Sequence, residues 1–131
     1  MRRYLLVDDD TIFNFLHTEV IKAVDNSAQI DLFNSSTEGL EFLKDALEDK
    51  HPMPNFLFLD IRMPEMDGFE YLDELMKYPV DKFKDLRIYV LSSSLAERDK
   101  DKSLSYPIVT GFIEKTLTIE KLKGIIETYP L

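Results

Sequence analysis

Three short runs of the chain are apolar without alternation: Tyr4 to Val7 (YLLV), Phe56 to Leu59 (FLFL) and Ile88 to Leu91 (IYVL). Runs of this length and character predict strands covered on both faces, as in the interior of a parallel sheet. Two further segments, Ala28 to Asn34 (AQIDLFN) and Val109 to Glu114 (VTGFIE), mix polar with apolar residues and read as the outer strands of the same sheet.

Helical spacing fills the intervals. Ile12, Leu16, Val20 and Val24 recur at steps of four and predict a first helix with that stripe buried. A second follows Ser35, which with Glu38 makes a capping-box pattern, and presents Leu40, Leu43 and Leu47. A third opens at Asp67, an acid suited to cap free N–H groups, and runs through Phe69, Leu72 and Met76 to a stop at Tyr78 and Pro79. The fourth, Leu95 to about Leu104, is dominated by charge and is expected to be the least stable. The fifth begins after Thr118 and carries Ile119, Leu122, Ile125, Ile126 and Tyr129 before Pro130.

Strand then helix, five times over, calls for a doubly wound α/β fold: a five-stranded parallel sheet with right-handed crossovers and helices on both faces. Ligands of such sheets sit beyond the carboxyl ends of the strands near the topological switch point, so residues just after the strands are the candidates for chemistry.

Composition narrows the function without changing the fold. At 131 residues the chain has the size of one domain, with 44% apolar and 31% charged residues. The 16 Lys plus Arg against 25 Asp plus Glu leave a net charge of -9, which repels phosphate backbones and anionic lipid surfaces, so no direct nucleic-acid partner is expected. With no cysteine there is no disulfide, thiolate site or thiol catalysis. The apolar run after Met1 is too short for a signal peptide, and no segment approaches about 18 uninterrupted apolar residues, so a cytoplasmic protein without membrane insertion is expected.

The strand ends concentrate acid. Asp8, Asp9 and Asp10 follow the first strand and Asp60 ends the third, so several carboxylates crowd one rim, an arrangement that suits a hard cation such as Mg2+. Ser92 at the end of strand four adds a hydroxyl, and Lys115 after strand five adds an ammonium on a long stem. A carboxylate nucleophile, a metal, a hydroxyl and an ammonium are the parts that receive a phosphoryl group and hold its oxygens. Taken singly, each has a plainer reading. Asp60 alone reads equally well as a turn residue, Lys115 as a solvated lysine, and Ser92 to Ser94 as a polar turn. Asp10 reads best as the cap of the first helix, the run Glu97 to Lys102 as a solvated face, and His17 and His51 as surface residues.

The segments LLVDDD, FLFLDIRMPEMDGFEYL, IYVLSSS and GFIEK, in this order and spacing, closely resemble the receiver domain of bacterial two-component response regulators, of the stand-alone type typified by the chemotaxis regulator. The resemblance covers nearly the whole chain, 1–131, and implies the flavodoxin-like strand order 2-1-3-4-5. It implies that Asp60 is the phosphoacceptor, forming an aspartyl phosphate, and that Mg2+ is held by Asp9, Asp60 and the backbone carbonyl of Arg62, with Asp8 acting through a metal-bound water. Ser92 and Lys115 would each take a phosphoryl oxygen, and Phe112 would be the aromatic switch whose rotamer follows the state of the site, although Phe112 is also open to a plain edge-strand reading. The implied donor is a phosphohistidine on a sensor histidine kinase or histidine phosphotransfer protein, and the implied output is a protein contact with a downstream target. The domain would catalyse its own phosphorylation and dephosphorylation without being an enzyme in the ordinary sense.

One departure from the family pattern stands at Thr116, where receivers usually have proline in a cis peptide after the lysine; a trans Lys115–Thr116 peptide is expected, with Lys115 still aimed at Asp60. Arg62 and Ser94 occupy positions that modulate dephosphorylation in the family. Two rival functions remain: a haloacid-dehalogenase-like phosphatase using Asp8 as nucleophile with Asp10 two residues on, and a pseudo-receiver that binds partners without phosphorylation.

Overall fold

A computed structural model of the protein describes residues 1–93 and 96–130. Its elements alternate as expected: β1 (Arg3–Val7), α1 (Thr11–Val24), β2 (Gln29–Phe33), α2 (Ser36–Leu47), β3 (Phe56–Asp60), α3 (Gly68–Leu75), β4 (Arg87–Ser92), α4 (Glu97–Leu104), β5 (Val109–Glu114) and α5 (Ile119–Thr128), with a single 3-10 turn at Val80–Phe83 that the sequence pattern does not predict. The five strands form one parallel sheet in the order β2-β1-β3-β4-β5, which puts the two mixed-polarity strands at the edges.

Alternate residues of the inner strands feed two separate cores. Leu5, Val7, Leu57, Leu59, Ile88 and Val90 pack with Leu40, Leu43 and Leu47 of α2 and with Phe69, Leu72 and Leu75 of α3. Tyr4, Leu6, Phe56, Phe58, Tyr89 and Leu91 point the other way, onto Ile21 of α1 and Leu122 and Ile125 of α5. Both faces of β1, β3 and β4 are therefore dry, which is why their sequences carry no alternation.

The helix starts follow their caps. Asp10 accepts the amides of Ile12 and Phe13, Ser35 that of Glu38, and Thr118 that of Lys121. Asp67 and Glu70 form a reciprocal capping box at α3.

The buried face of α1 differs from expectation. Ile12 is 70% exposed and Leu16 is also exposed, whereas Asn14, His17 and Ile21 are buried. Polar tertiary bonds decide the rotation of the helix: Asn14 Nδ2 donates to Asp8 O at 2.7 Å, and His17 Nε2 accepts the Leu117 amide at 3.2 Å. His17 is thus a core residue rather than a surface one. His51 is half-buried, with its ring tilted against that of Phe42 and Nε2 2.8 Å from the Phe42 carbonyl oxygen. In α5, Leu122 and Ile125 are buried but Ile119 is exposed.

In α4 the only buried side chains among the described residues are Asp99 and Ser103. Leu95, expected to open this helix, and Ser94 lie outside the described residues. Asp99 is not part of a solvated face: it is buried and paired with the guanidinium of Arg62 from the loop after β3.

Candidate phosphoryl-transfer and metal site

β1 and β3 are hydrogen-bonded neighbours in register, Val7 opposite Leu59, so the acids that follow them emerge side by side. Asp60 is the last residue of β3 and Asp8 the first after β1, and both are buried, at 5% and 4% exposure; Asp9 beside them is exposed. A carboxylate oxygen from each of Asp8, Asp9 and Asp60 lies within 4.8 Å of the others.

The backbone around these acids is tied down. The Asp8 amide donates to Phe33 O on β2, and the Asp10 amide donates back to Asp8 Oδ1 at 2.9 Å. Behind Asp60, α3 begins at Gly68, whose amide donates to Ile61 O at 2.8 Å. A Cβ at Gly68 would lie 2.7 Å from Asp60 O and 2.8 Å from Ile61 Cα, so only glycine lets the helix start this close to the acid.

Lys115 enters from the end of β5. Its side chain is 5% exposed, with Nζ 2.7 Å from Asp8 Oδ2 and 3.3 Å from Asp60 Oδ1. The contact with Asp8 Oδ2 is an ion pair without hydrogen-bond alignment, so the ammonium is the cation that this buried oxygen faces. The face of the Phe13 ring also supports the ammonium, 4.3 Å from the ring centre. Ser92, the last residue of β4, is buried and has polar contacts of its own.

Three carboxylates and one ammonium leave the rim short of positive charge. Burial, followed by the neighbouring Asp8 carboxylate, pushes the Asp60 carboxyl up to about 7, and Lys115 only partly opposes this. Three hard oxygen donors within 4.8 Å of one another, and a carboxyl raised by burial and by the excess of negative charge around it, fit the donor and charge demands of Mg2+.

Phe112, on β5, is half-buried and packs against the core on the α2 and α3 side. Arg62 is exposed, and its guanidinium reaches Asp99 of α4. The Lys115–Thr116 peptide is cis, contrary to the trans geometry expected without a proline. The segment is held from both sides, the Lys115 amide donating to Ser92 O at 2.8 Å and the Leu117 amide to His17, and Lys115 reaches Asp60 from it as expected.

Sequence reading missed His17, Phe13 and Asp99 as neighbours of the site. Phe13, His17 and Ile21 form a second stripe at steps of four, and that was the available signal for the first two. Asp99 carried none, lying within a run of alternating charges.

A flavodoxin-like sheet whose switch-point rim gathers acids from β1 and β3, a hydroxyl from β4 and a lysine from β5 defines a phosphorylation-activated receiver. The chain belongs to the response regulator receiver domain family, which it matches over residues 4–127. It is similar to a two-component response regulator from Cytophaga hutchinsonii, with a TM-score of 0.86 and 27% identity over 98% of this chain and 96% of that one. It is also similar to response regulator Rcp1 of Synechocystis, 26% identical over 94% of this chain and 82% of that protein. The Mn2+-bound form of Rcp1 superposes with a TM-score of 0.74 at 26% identity, covering 98% of this chain and 94% of that one. Identity is 33% with the sensor histidine kinase CheAY of Helicobacter pylori, over 69% of this chain but only a tenth of the length of CheAY.

These findings favour the switch over a haloacid-dehalogenase-like phosphatase. Asp10, the second acid that reading requires, is engaged as the cap of α1. No described helix is long and apolar enough to cross a membrane.

Proposed function

We propose that Asp60 is the phosphoacceptor of this receiver and that Asp8, Asp9, Asp60 and the backbone carbonyl of Arg62 form its Mg2+ site, Asp8 acting through a metal-bound water. The observation that carries the reading is the position of Lys115, buried between Asp8 and Asp60 at 2.7 and 3.3 Å. A bound Mg2+ supplies charge neutralisation for the acids and for the incoming phosphoryl oxygens. That Rcp1 has been crystallised with Mn2+ supports a divalent site in this chain as well.

In the proposed transfer, an Asp60 carboxylate oxygen attacks the phosphorus of a phosphohistidine in line. The P–N bond breaks, its electron pair leaves with the imidazole nitrogen, and an acyl phosphate remains on Asp60. Lys115 and Ser92 each take a phosphoryl oxygen, charge on one and a hydroxyl hydrogen bond on the other. Water later cleaves the acyl phosphate, so the domain contributes to both its own phosphorylation and its dephosphorylation.

The donor is a histidine kinase or a histidine phosphotransfer protein, and the output is a contact with another protein, read through the face of α4, β5 and α5. Phe112 is the residue whose rotamer couples that face to Ser92 and the phosphoryl group. The test is incubation with Mg2+ and acetyl phosphate followed by mass spectrometry of the peptides. A phosphoryl group on the Asp60 peptide, absent in Asp60→Asn, is expected; a label on Asp8 with continuous phosphate release would support the phosphatase, and a stable unlabelled protein the pseudo-receiver.

A further inference from the structure

We infer that His17 is a positioning residue for phosphoryl transfer: held in its neutral form with the proton on Nδ1, it fixes the loop that delivers Lys115 to the acids. The inference rests on the proposed role of Asp60.

His17 is 1% exposed and lies on the middle of α1, where a polar ring is costly unless it answers a need. The need is the amide of Leu117, a residue with no exposure, which donates to His17 Nε2 at 3.2 Å across 100 positions of sequence. An N–H can donate only to a bare nitrogen, so this bond selects the tautomer with hydrogen on Nδ1.

That bond pins one end of a three-residue segment. The other end is pinned by the Lys115 amide on Ser92 O at 2.8 Å, so Lys115, Thr116 and Leu117 hang between β4 and α1. One helical turn before His17, Phe13 stacks on its ring with centroids 5.8 Å apart and offers its own face to the Lys115 ammonium at 4.3 Å. α1 therefore places both the backbone and the head group of the lysine: Phe13 steadies the charge and His17 the chain that bears it. Ammonium distances of 2.7 and 3.3 Å leave little slack, because misplacing a catalytic group by about 1 Å is enough to slow a positioned reaction.

Neither residue contacts Asp9 or Arg62 in any described interaction, so a defect here acts through Lys115 and reaches the Mg2+ site only by loosening the ammonium that competes for Asp8 and Asp60.

The test compares His17→Leu, His17→Gln and Phe13→Leu with the wild type, following Asp60 labelling by acetyl phosphate and Mg2+ binding by calorimetry. Leucine fills the space but takes no hydrogen bond, and labelling is expected to slow about tenfold while Mg2+ binds no more weakly than to the wild type, since a displaced ammonium competes less for Asp8 and Asp60. Glutamine places an amide oxygen near the position of Nε2 and is expected to return the rate to within about threefold of wild type. Phe13→Leu is expected to slow labelling without disturbing the Leu117 amide. A His17→Leu protein labelled at the wild-type rate, or a His17→Gln protein as slow as His17→Leu, overturns the inference while Asp60 stands. Failure of the wild type to take label on Asp60 overturns the phosphoacceptor reading and the inference with it. If His17→Leu does not fold, the 15N shifts of His17 in the wild type decide: a bare Nε2 coupled to the Leu117 amide is expected, and hydrogen on Nε2 overturns the inference.

Discussion

Lys115 lies closer to Asp8 than to Asp60, 2.7 against 3.3 Å, so the ammonium serves as counterion to both acids while favouring the one that is not the proposed nucleophile. Lys115→Ala strips a buried acidic pair of the only cation paired with it among the described residues. Without Mg2+ the variant should lose on the order of 3 kcal/mol of stability at pH 8, because buried carboxylates are left uncompensated. Added Mg2+ should recover much of that loss, which thermal melting with and without the ion will read.

Asp60 sets a pH dependence of its own. Its folded value of about 7 stands above the ordinary 3.8, so its contribution to stability is complete below about pH 4 and is lost as pH rises through 7. Asp60→Asn should match the wild type in acid and exceed it at pH 8 by on the order of a few kcal/mol. Mg2+ should narrow the gap, and its affinity for the wild type should rise with pH up to about 7. Urea unfolding between pH 4 and 8 is the measurement.

His17 titrates in the opposite sense. Burial holds its imidazole below the usual value of 6.5, with the Lys115 ammonium also lowering it and Asp8 opposing. The unfolded chain then binds the proton more readily than the folded one, so the stability this residue contributes is present above 6.5 and declines as pH falls below it. In an Asp60→Asn background, which removes the competing slope, stability should fall from pH 7 to 5, and His17→Gln should flatten that fall.

Gly68 separates close approach from chemistry. In Gly68→Ala the new Cβ meets backbone at 2.7 and 2.8 Å, which no side-chain rotation relieves. The variant should lose about 2 kcal/mol or more and take label on Asp60 more slowly, since the start of α3 and the end of β3 must move apart. Chemical denaturation and the acetyl phosphate assay measure the two effects.

Arg62→Ala should act on α4 more than on the whole protein. Asp99 is buried and loses its partner, yet the guanidinium is 63% exposed, so the global cost should be on the order of 1 kcal/mol. Amide hydrogen exchange should accelerate in 97–104 well beyond that, the expected signature of local release.

How much of this was legible in the sequence depended on whether the deciding contact was local. β1, β3 and β4 were readable because burial on both faces leaves an uninterrupted apolar run, and the caps at Asp10, Ser35, Asp67 and Thr118 because each acts within three residues. The rim acids, Ser92 and Lys115 followed from strand ends and motif. The rotation of α1 was not readable, since two stripes at steps of four compete, Ile12 with Leu16 and Phe13 with His17. The Leu117 amide, distant in sequence, chooses the second. The cis peptide at Lys115–Thr116 and the Arg62–Asp99 pair depend likewise on partners that no local pattern announces.

The polar attachment of α4 has a thermal consequence. Among the described residues this helix buries no apolar side chain, and it is joined to the body through Arg62 and Asp99, through Lys102 over the Phe69 ring and by its position against β5. Its release should therefore carry a small heat-capacity change, so cooling does little to loosen it, whereas dissolved salt weakens it by screening. If the proposed output face includes this helix, its threshold should hold across a wide temperature range and shift with ionic strength.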